Sequence, residues 1–363
     1  MHNSTTIKYK NTDFSKGFYQ DLRTRINDYF ANNKITPHAN TFMWLKMYFI
    51  LALWLGSYLG ILFGNLSTLS MFLVICVHVS THLLIPFNIS HDASHGAFSE
   101  NPKINNILSY SLALIGVSPY FWRISHNQEH HSYINVVEID SNTQGYGILR
   151  FTPEDGLKKL FKFQHVYAII IYCITSLNYV LLKELRMIKN LRAKGEHIPI
   201  SAYLELISIK VGYYTYTIIL PYLLLDVSLS SVLLFFLLGH FVLGVGLALV
   251  FQCGHFTEDA HYPEMEDRVI QDGWAVHSLR TTCDYASQSW LVTHLFGGIN
   301  IHIPHHLFPK ICHVHYKSLV PIIKQTATDH GIKYREYSSF SGAISSHFKL
   351  LKKLGHQVEL DIF

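Results

Sequence analysis

Five long apolar runs constrain the fold of this chain more than any other feature of its sequence. They cover residues 43–63, 66–87, 165–182, 206–225 and 231–251. At about 1.5 Å of rise per residue, each run is long enough, or nearly so, to cross the hydrocarbon core of a bilayer as a helix. Only 15% of the residues are charged, which is fewer than in an ordinary soluble domain. The sequence therefore predicts an all-α integral membrane protein.

Three short clusters contain eight of the 24 histidines. The clusters are His91 with His95, His126 with His130 and His131, and His302 with His305 and His306. Spacings of three or four residues place imidazoles on one face of a helix, where they can converge on a metal ion. Eight imidazoles exceed the four ligands of one tetrahedral zinc ion. The clusters therefore predict a site for two metal ions of higher coordination number.

The histidine clusters also restrict the number of membrane crossings. Histidines that share one metal centre must lie on one side of the bilayer, so an even number of spans must separate any two clusters. The interrupted apolar run 104–122 lies alone between the first two clusters and is expected to be interfacial or re-entrant. We assign 165–182 to the surface as well, because it contains Asn178 and is followed by basic residues. Four spans in two hairpins remain, namely 43–63, 66–87, 206–225 and 231–251.

The distribution of charge predicts the orientation of these hairpins. Their tips, residues 64–65 and 226–230, contain no Lys or Arg, whereas the 183–194 segment and both terminal regions are rich in them. By the positive-inside rule, both termini and all three histidine clusters should be cytoplasmic. We expect a membrane domain over 43–335 between cytoplasmic tails, 1–42 and 336–363, and a cytoplasmic cap that carries the metal site. The net charge of +4 follows from this topology, and no motif indicates nucleic-acid binding.

With these clusters in this order, the chain resembles the membrane fatty acid desaturases. That family has three histidine boxes, roughly HxxxH, HxxHH or HxxxHH, and [H/Q]xxHH, with a transmembrane hairpin before the third. The similarity extends over roughly residues 40–335 and includes the segments 91–98, 251–255, 274–277, 297–309 and 313–316. Within that family, the chain is similar to bacterial acyl-CoA or acyl-lipid desaturases of the linoleoyl-CoA-desaturase type.

The resemblance implies an enzyme that uses O2 and two iron ions to introduce a cis double bond into an acyl-CoA or a lipid-linked acyl chain. It also implies a bacterial inner-membrane location, surrounded by membrane lipid. No His-Pro-Gly-Gly haem motif or GxGxxG flavin motif occurs in the sequence. Electrons are therefore expected from a separate carrier, such as a ferredoxin or a cytochrome b5-like protein.

The resemblance further implies nine metal ligands. They are His91, His95, His126, His130, His131, His255, His302, His305 and His306. Phe251 stands where the family often has an asparagine that serves the metal through water, so Gln252 is the remaining candidate for that role. Asp92 and Glu129 are candidates to accept N–H bonds from ligand imidazoles, and a solvated or helix-capping role is the alternative for each.

The third box departs from the family pattern at two positions. His302 stands where similar desaturases have glutamine, and Pro304 stands where they have glutamate. Because proline is best tolerated in the first turn of a helix, His302 is expected at a helix start. His78, His82 and His240 lie inside apolar runs, and we expect them to be hydrogen-bonded interior residues.

Two other functions remain open at the level of the sequence. A related di-iron hydroxylase or ketolase would use the same boxes on another lipid or alkyl substrate. A zinc membrane protein without redox chemistry, either a hydrolase or a transporter, belongs to a different class. The number of clustered histidines argues against the zinc protein. The position of the double bond, the chain length and the head group are not encoded in these motifs.

Overall fold

The computed structural model describes residues 7–259 and 261–356, and it is mainly helical. Seventeen α-helices are formed by these residues. They are α1 (Asp13–Asn33), α2 (Thr41–Phe63), α3 (Thr68–Ile85), α4 (His91–Ser94), α5 (Pro102–Ser109), α6 (Pro119–Arg123), α7 (Gln164–Cys173), α8 (Thr175–Asn178), α9 (Glu184–Ala193), α10 (Ile200–Tyr214), α11 (Leu220–Leu224), α12 (Leu229–His255), α13 (Trp274–Thr281), α14 (Trp290–Leu295), α15 (His302–Leu307), α16 (Tyr316–Asp329) and α17 (Phe340–His356).

Wider and tighter helical turns connect several of these helices. The π-helical segments are Pro86–Ser90, Ile124–His130, Tyr179–Lys183 and Thr215–Ile219. The 3₁₀ segments are Tyr110–Ile115, Ser141–Thr143, Lys159–Phe163 and His313–His315. π-turns inside α-helices frequently accompany functional sites. Two of them occur here at histidine clusters, one immediately before His91 and one over the second cluster.

Three helices are long and apolar enough to cross a membrane. They are Thr41–Phe63, Thr68–Ser94 and Leu229–His255. Each begins after an Asn or Ser whose side chain accepts a backbone N–H of the first turn, which is a strong start signal. The first and third helices contain the predicted runs 43–63 and 231–251, and the second covers the run 66–87 from residue 68 onward. The membrane prediction is therefore confirmed.

The other two apolar runs give a more complex result. Two consecutive helical stretches, Lys159–Cys173 and Thr175–Ala193, meet at a bend of 57°. They are long and apolar enough to span a membrane only when taken together. The predicted span 206–225 lies in a helical stretch that is not among the candidate spans of the described residues. Lys210 and several tyrosines lower its hydropathy. Span number is therefore three or four by length and composition.

The long helices present apolar side chains outward. Exposed examples are Leu45, Phe49, Leu73, Leu234 and Val242. In the most apolar 18-residue stretch of each candidate span, only 17–28% is buried inside the protein. An apolar surface of this extent is unfavourable in water but is expected against lipid. Helices α2 and α3 pack against each other, and α12 packs against α3, α7 and α8.

A cap of shorter helices is attached to the ends of the long ones. Its largest buried apolar cluster joins Phe18 and Leu22 of α1 to Leu279 of α13, Ile303 of α15 and Leu319 of α16. The described part of the predicted N-terminal tail is thus a packed component of the cap. The described part of the predicted C-terminal tail is packed as well, because α17 lies against α7 and α12.

Short strands complete the cap without changing its helical character. Lys8–Tyr9, Val269–Ile270 and Met265–Glu266 form a three-stranded sheet in that spatial order, with the first pair parallel and the second antiparallel. Asp284–Tyr285 pairs in parallel with Glu336–Tyr337. Each strand has two residues, so these pairs serve as ties between loops.

Candidate metal centre

The second histidine cluster is shaped by its π-turn. The backbone N–H of His131 donates to the carbonyl of His126 at 3.0 Å, five residues earlier. In a regular α-helix, residues five apart point in different directions, whereas a π-turn places them on the same side. The Nε2 atoms of His126 and His131 accordingly lie 3.2 Å apart. His126 Nε2 is also 3.2 Å from Nε2 of His91 in the first cluster.

The third cluster meets the end of α12. His302 is the first residue of α15, which confirms its predicted position at a helix start. Its Nε2 lies 2.7 Å from Nε2 of His255 and 3.2 Å from Nε2 of His306. Gly254 permits this approach, because a Cβ at that position would lie 2.6 Å from Cδ2 of His302.

All nine predicted ligands are brought together in one buried region. One group contains His91, His95, His126 and His305, and a second contains His130, His255, His302 and His306. His131 forms a further group with His305 and His306. In each group the candidate ligand atoms lie within 4.8 Å of one another. No member of the set is more than 9% exposed.

The hydrogen bonds of His255 and His302 show that a cation fits between them. His255 Nδ1 lies 3.2 Å from the carbonyl of Thr281, and His302 Nδ1 lies 3.0 Å from that of Ile299. A carbonyl accepts only, so each Nδ1 must carry a hydrogen and each neutral imidazole has a bare Nε2. The two bare Nε2 atoms cannot hydrogen-bond to each other at 2.7 Å. A shared metal ion would satisfy both lone pairs.

Unpartnered nitrogens at the other group point to the same chemistry. The Nε2 atoms of His95 and His305 are buried and have no hydrogen-bond partner among the described residues. Buried polar atoms are normally satisfied, so such atoms require a reason. Neutral imidazole is a good ligand for iron, copper, nickel and zinc. The residues therefore fit two metal ions, one at each group.

Burial also favours the protonation state that binds metal. Loss of solvent, and then the proximity of other histidines, holds the pKa of His302, His305 and His306 well below the ordinary value. The same causes lower the pKa of His126 and His131. These imidazoles are consequently neutral near pH 7, with a lone pair available for coordination.

Asp140 orients one of the ligands and was not identified from the sequence. Its Oδ2 lies 2.9 Å from Nδ1 of His130 and also accepts the N–H of Asn135. Burial alone would raise the pKa of Asp140, but the charge and hydrogen bond of His130 outweigh it and lower that pKa. Carboxylate–histidine pairs of this kind fix the tautomer of a metal ligand. Because Asp140 lies in a loop, no helical spacing indicates this role.

The two carboxylates predicted to support the ligands have other partners. Asp92 Oδ2 accepts from Nδ1 of His313 at 2.7 Å and from Sγ of Cys312 at 3.0 Å. Glu129 lies 3.9 Å from Nζ of Lys194. Among the contacts of the described residues, neither carboxylate binds any of the nine imidazoles. Asp92 instead connects the first histidine cluster to the segment that follows the third.

Gln252 remains available near the second group. Its Oε1 is buried without a partner in the described part of the chain.

Asp284 is a further residue that sequence reasoning missed. Its Oδ1 accepts the N–H of Ile303 at 2.8 Å, and this bond holds the first turn of α15, where His302 lies.

The three intramembrane histidines have hydrogen-bond partners, as predicted. His78 Nδ1 lies 3.0 Å from Ser57 Oγ, and His82 Nε2 lies 3.1 Å from the hydroxyl of Tyr216. His240 is bonded to Ser176 and to the hydroxyl of Tyr213. They do not belong to the histidine groups of the described residues.

A cavity of about 420 Å³ lies beside the histidines. Its wall includes His91, His126 and His255, together with apolar side chains such as Phe87, Trp122 and Leu247. His82 and His240, inside the long helices, also line it. A mainly apolar cavity with candidate metal ligands in its wall suits a long, apolar substrate.

Comparison with known proteins identifies the family. A model of the family described as fatty acid desaturase matches residues 67–338. An sn-1 linoleoyl-lipid 6-desaturase of Synechocystis sp. is 33% identical, over 94% of this chain and 96% of its own length. Acyl-lipid (8-3)-desaturases of Physcomitrium patens and Dictyostelium discoideum are 30% and 31% identical over 96% and 93% of this chain. They are covered over 74% and 76% of their own lengths. With its histidine groups and apolar cavity, the chain belongs to the membrane fatty acid desaturase family and is an oxidoreductase.

Proposed function

We propose that this desaturase uses two iron ions, O2 and electrons from a separate carrier to place a cis double bond in an acyl chain linked to a membrane lipid. The observation that carries the metal assignment is the pair of bare Nε2 atoms of His255 and His302, 2.7 Å apart. When bound, the irons would supply oxygen activation and the removal of two hydrogens from adjacent methylenes.

The nine histidines divide between two metal positions in this proposal. One ion would be held by His91, His95, His126, His131 and His305, and the other by His130, His255, His302 and His306. His131 is assigned to the first because its Nε2 lies 3.2 Å from that of His126. Asp140 holds the orientation of His130 through the hydrogen bond to Nδ1. Gln252 is proposed to bind a water at the second ion.

The cavity is proposed to hold the acyl chain. Apolar side chains, including Phe87 and Trp122, would exclude water and hold the methylenes beside His91 and His126. His82 precedes His91 by nine residues of helix, so the cavity continues about 13 Å past the histidines into the membrane. His240 precedes His255 by fifteen residues of helix, so along that helix the cavity extends about 22 Å from the histidines. This long distal part accommodates the methyl end of the chain.

Asn142 and Gln144 also line the cavity and follow Asp140, the partner of His130, by two and four residues. An extended chain covers about 3.5 Å per residue, so these amides lie within roughly 7 and 14 Å of Asp140. We place the head group beside these two amides. We propose a double bond near the carboxyl end of the chain, in keeping with the relative named a 6-desaturase.

The topology proposed is four spans with a cytoplasmic metal site. The fourth span is 200–224, which completes an even number between the second and third clusters. Its charged residues have partners outside the lipid. Lys210 is paired with Glu184 and donates to the carbonyl of Gly116. Glu205 accepts a hydrogen bond from the hydroxyl of Ser118. The bent pair Lys159–Cys173 and Thr175–Ala193 would lie at the cytoplasmic surface, consistent with its basic residues.

Expression in a host that lacks the activity tests the reaction. Lipid profiling should reveal a new double bond in lipid-linked acyl chains, and metal analysis of the purified protein should give about two irons per chain. A hydroxylated product would favour the hydroxylase alternative, and zinc without iron would favour the zinc protein.

Single alanine substitutions test the metal assignment. Replacing any of the nine histidines should lower the iron content and abolish product, because a residue that would coordinate the metal directly is lost. His78→Ala provides the control, since His78 is a buried histidine bonded to Ser57, and it should retain both irons. Normal iron and normal product in two of the nine variants would refute the assignment.

A further inference from the structure

The wall of the cavity includes two cationic side chains. They are Lys183 and Arg186. Lys183 Nζ donates to the hydroxyl of Tyr179 at 2.8 Å and lies 4.0 Å from the centre of that ring. Arg186 Nη1 donates to Oδ1 of Asn178 at 2.8 Å, and its guanidinium lies 4.7 Å from the centre of the Tyr146 ring. Both cations are held in place by neutral groups.

No carboxylate among the described residues forms an ion pair with either cation. Glu184, the nearest in sequence, is turned to Lys210 and to the backbone N–H of Ser118. Glu129 is 3.9 Å from Lys194. Neither cation in the wall of this mainly apolar cavity therefore has a carboxylate within ion-pair distance among the described residues, although the charge of Asp140 acts on Lys183 from further away. A lysine has three donors and an arginine five, and each cation has used one here.

We propose that Lys183 and Arg186 bind the phosphate of a membrane phospholipid whose acyl chain occupies the cavity. This inference rests on the proposed function, because it names the head group of the same substrate. Phosphate accepts charge-assisted hydrogen bonds from both residue types. Asn142 and Gln144, which also line the cavity, can bond to the glycerol and ester oxygens. A neutral sugar head group would leave both charges uncompensated.

The position of these residues distinguishes them from ordinary interfacial cations. Lysine and arginine often lie at membrane surfaces with their charges in water. Lys189 and Arg192 are of that kind, because they are exposed on α9 and do not belong to the cavity wall. Lys183 and Arg186 instead line the cavity. Packing on a ring does not separate the pairs, because Arg192 lies 5.4 Å from the centre of the Tyr203 ring and Arg186 is also exposed. The two pairs share a helical region and a charge, which makes them a matched comparison.

The test measures head-group preference with the full-length enzyme in lipid nanodiscs. Linoleoyl chains are offered on phosphatidylglycerol, on monogalactosyldiacylglycerol and as linoleoyl-CoA. The wild type should use phosphatidylglycerol best. The double variant K183Q/R186Q should raise the apparent KM for phosphatidylglycerol about tenfold or more, with kcat and the KM for the galactolipid little changed. The control K189Q/R192Q should behave as the wild type.

A binding measurement separates this inference from the proposed function. Retention of phosphatidylglycerol by the detergent-solubilised protein, followed by native mass spectrometry, requires no turnover. If no substrate gains a double bond, the proposed function fails, and loss of phosphatidylglycerol retention in K183Q/R186Q alone would still support the phosphate site. Equal use of all three substrates, preference for linoleoyl-CoA or the galactolipid, or equal effects of the two double variants would overturn it.

Discussion

Replacement of Gly254 by alanine should remove one of the two proposed metal ions while the fold is retained. Gly254 lies in α12 beside the third histidine cluster, and a Cβ there would lie 2.6 Å from Cδ2 of His302 and 3.0 Å from its Nε2. Carbon atoms in contact are normally about 3.5–4.0 Å apart. The His302 ring must therefore move by about 1 Å. A metal–ligand bond tolerates only about 0.2 Å of displacement.

The energetic cost to the fold is smaller than the cost to the metal site. Overpacking of a buried position costs about 1–3 kcal/mol. The better helix propensity of alanine offsets about 1 kcal/mol of this. The free energy of unfolding should therefore fall by no more than about 2 kcal/mol, which a helical membrane protein of this size should survive. The variant should express, but it should bind about one iron per chain and form little product.

Gly239→Ala is the matched control on the same helix. A Cβ at Gly239 would lie 3.6 Å from Cγ2 of Val79, which is an ordinary contact. This variant should keep two irons and be as stable as the wild type or slightly more so. Iron per chain is measured by elemental analysis, and stability by thermal unfolding in the same detergent. Wild-type iron and activity in Gly254→Ala would refute the argument that this glycine makes room for His302.

The remaining predictions address individual ligands and topology. His302→Gln should retain measurable desaturation, since Gln occupies this position in many similar desaturases, whereas His305→Gln should not; product and iron are compared at matched expression. Asp140→Ala leaves the Nδ1 of His130 unpaired, which costs about 1–3 kcal/mol, and should lower the iron content, whereas Asp140→Asn should retain more of it. A reporter fused at Gly195 should be cytoplasmic, and an external signal would contradict the four-span assignment.

Sequence patterns predicted the parts of this fold that depend on regular repeats. The spans 43–63, 66–87 and 231–251 follow from uninterrupted hydropathy, and each appears as a long apolar helix. Convergence of the histidine clusters was predicted from their helical spacing and from the family resemblance, and the side of the membrane was then inferred from it. The predicted span 206–225 is not among the candidate spans of the described residues. Lys210 lowers its hydropathy and pairs with Glu184 from another part of the chain.

Features that depend on loops and on tertiary contacts were not predicted. Asp140 lies in a loop, ten positions after His130, whose Nδ1 it binds. Nothing in the local sequence pattern selects Asp140 over Asp92 or Glu129 for this role. The role of α1 in the cap could have been recognised. Phe18, Leu22 and Ile26 recur every four residues and are buried, which is the pattern of a helix with one apolar face.

The consecutive histidines of the second and third clusters help to explain why this site should hold two ions. Adjacent residues on a helix point about 100° apart, so they do not converge on one ion as residues four apart can. His305 joins the group of His91 and His306 joins that of His255, while His131 lies between them in a third group that includes both. His130 joins the group of His255, while Nε2 of its neighbour His131 is 3.2 Å from that of His126. Each adjacent pair thus offers one imidazole to each metal position, and the backbone between them would fix the separation of the two ions. A chain that needed one ion would have no use for this doubled arrangement.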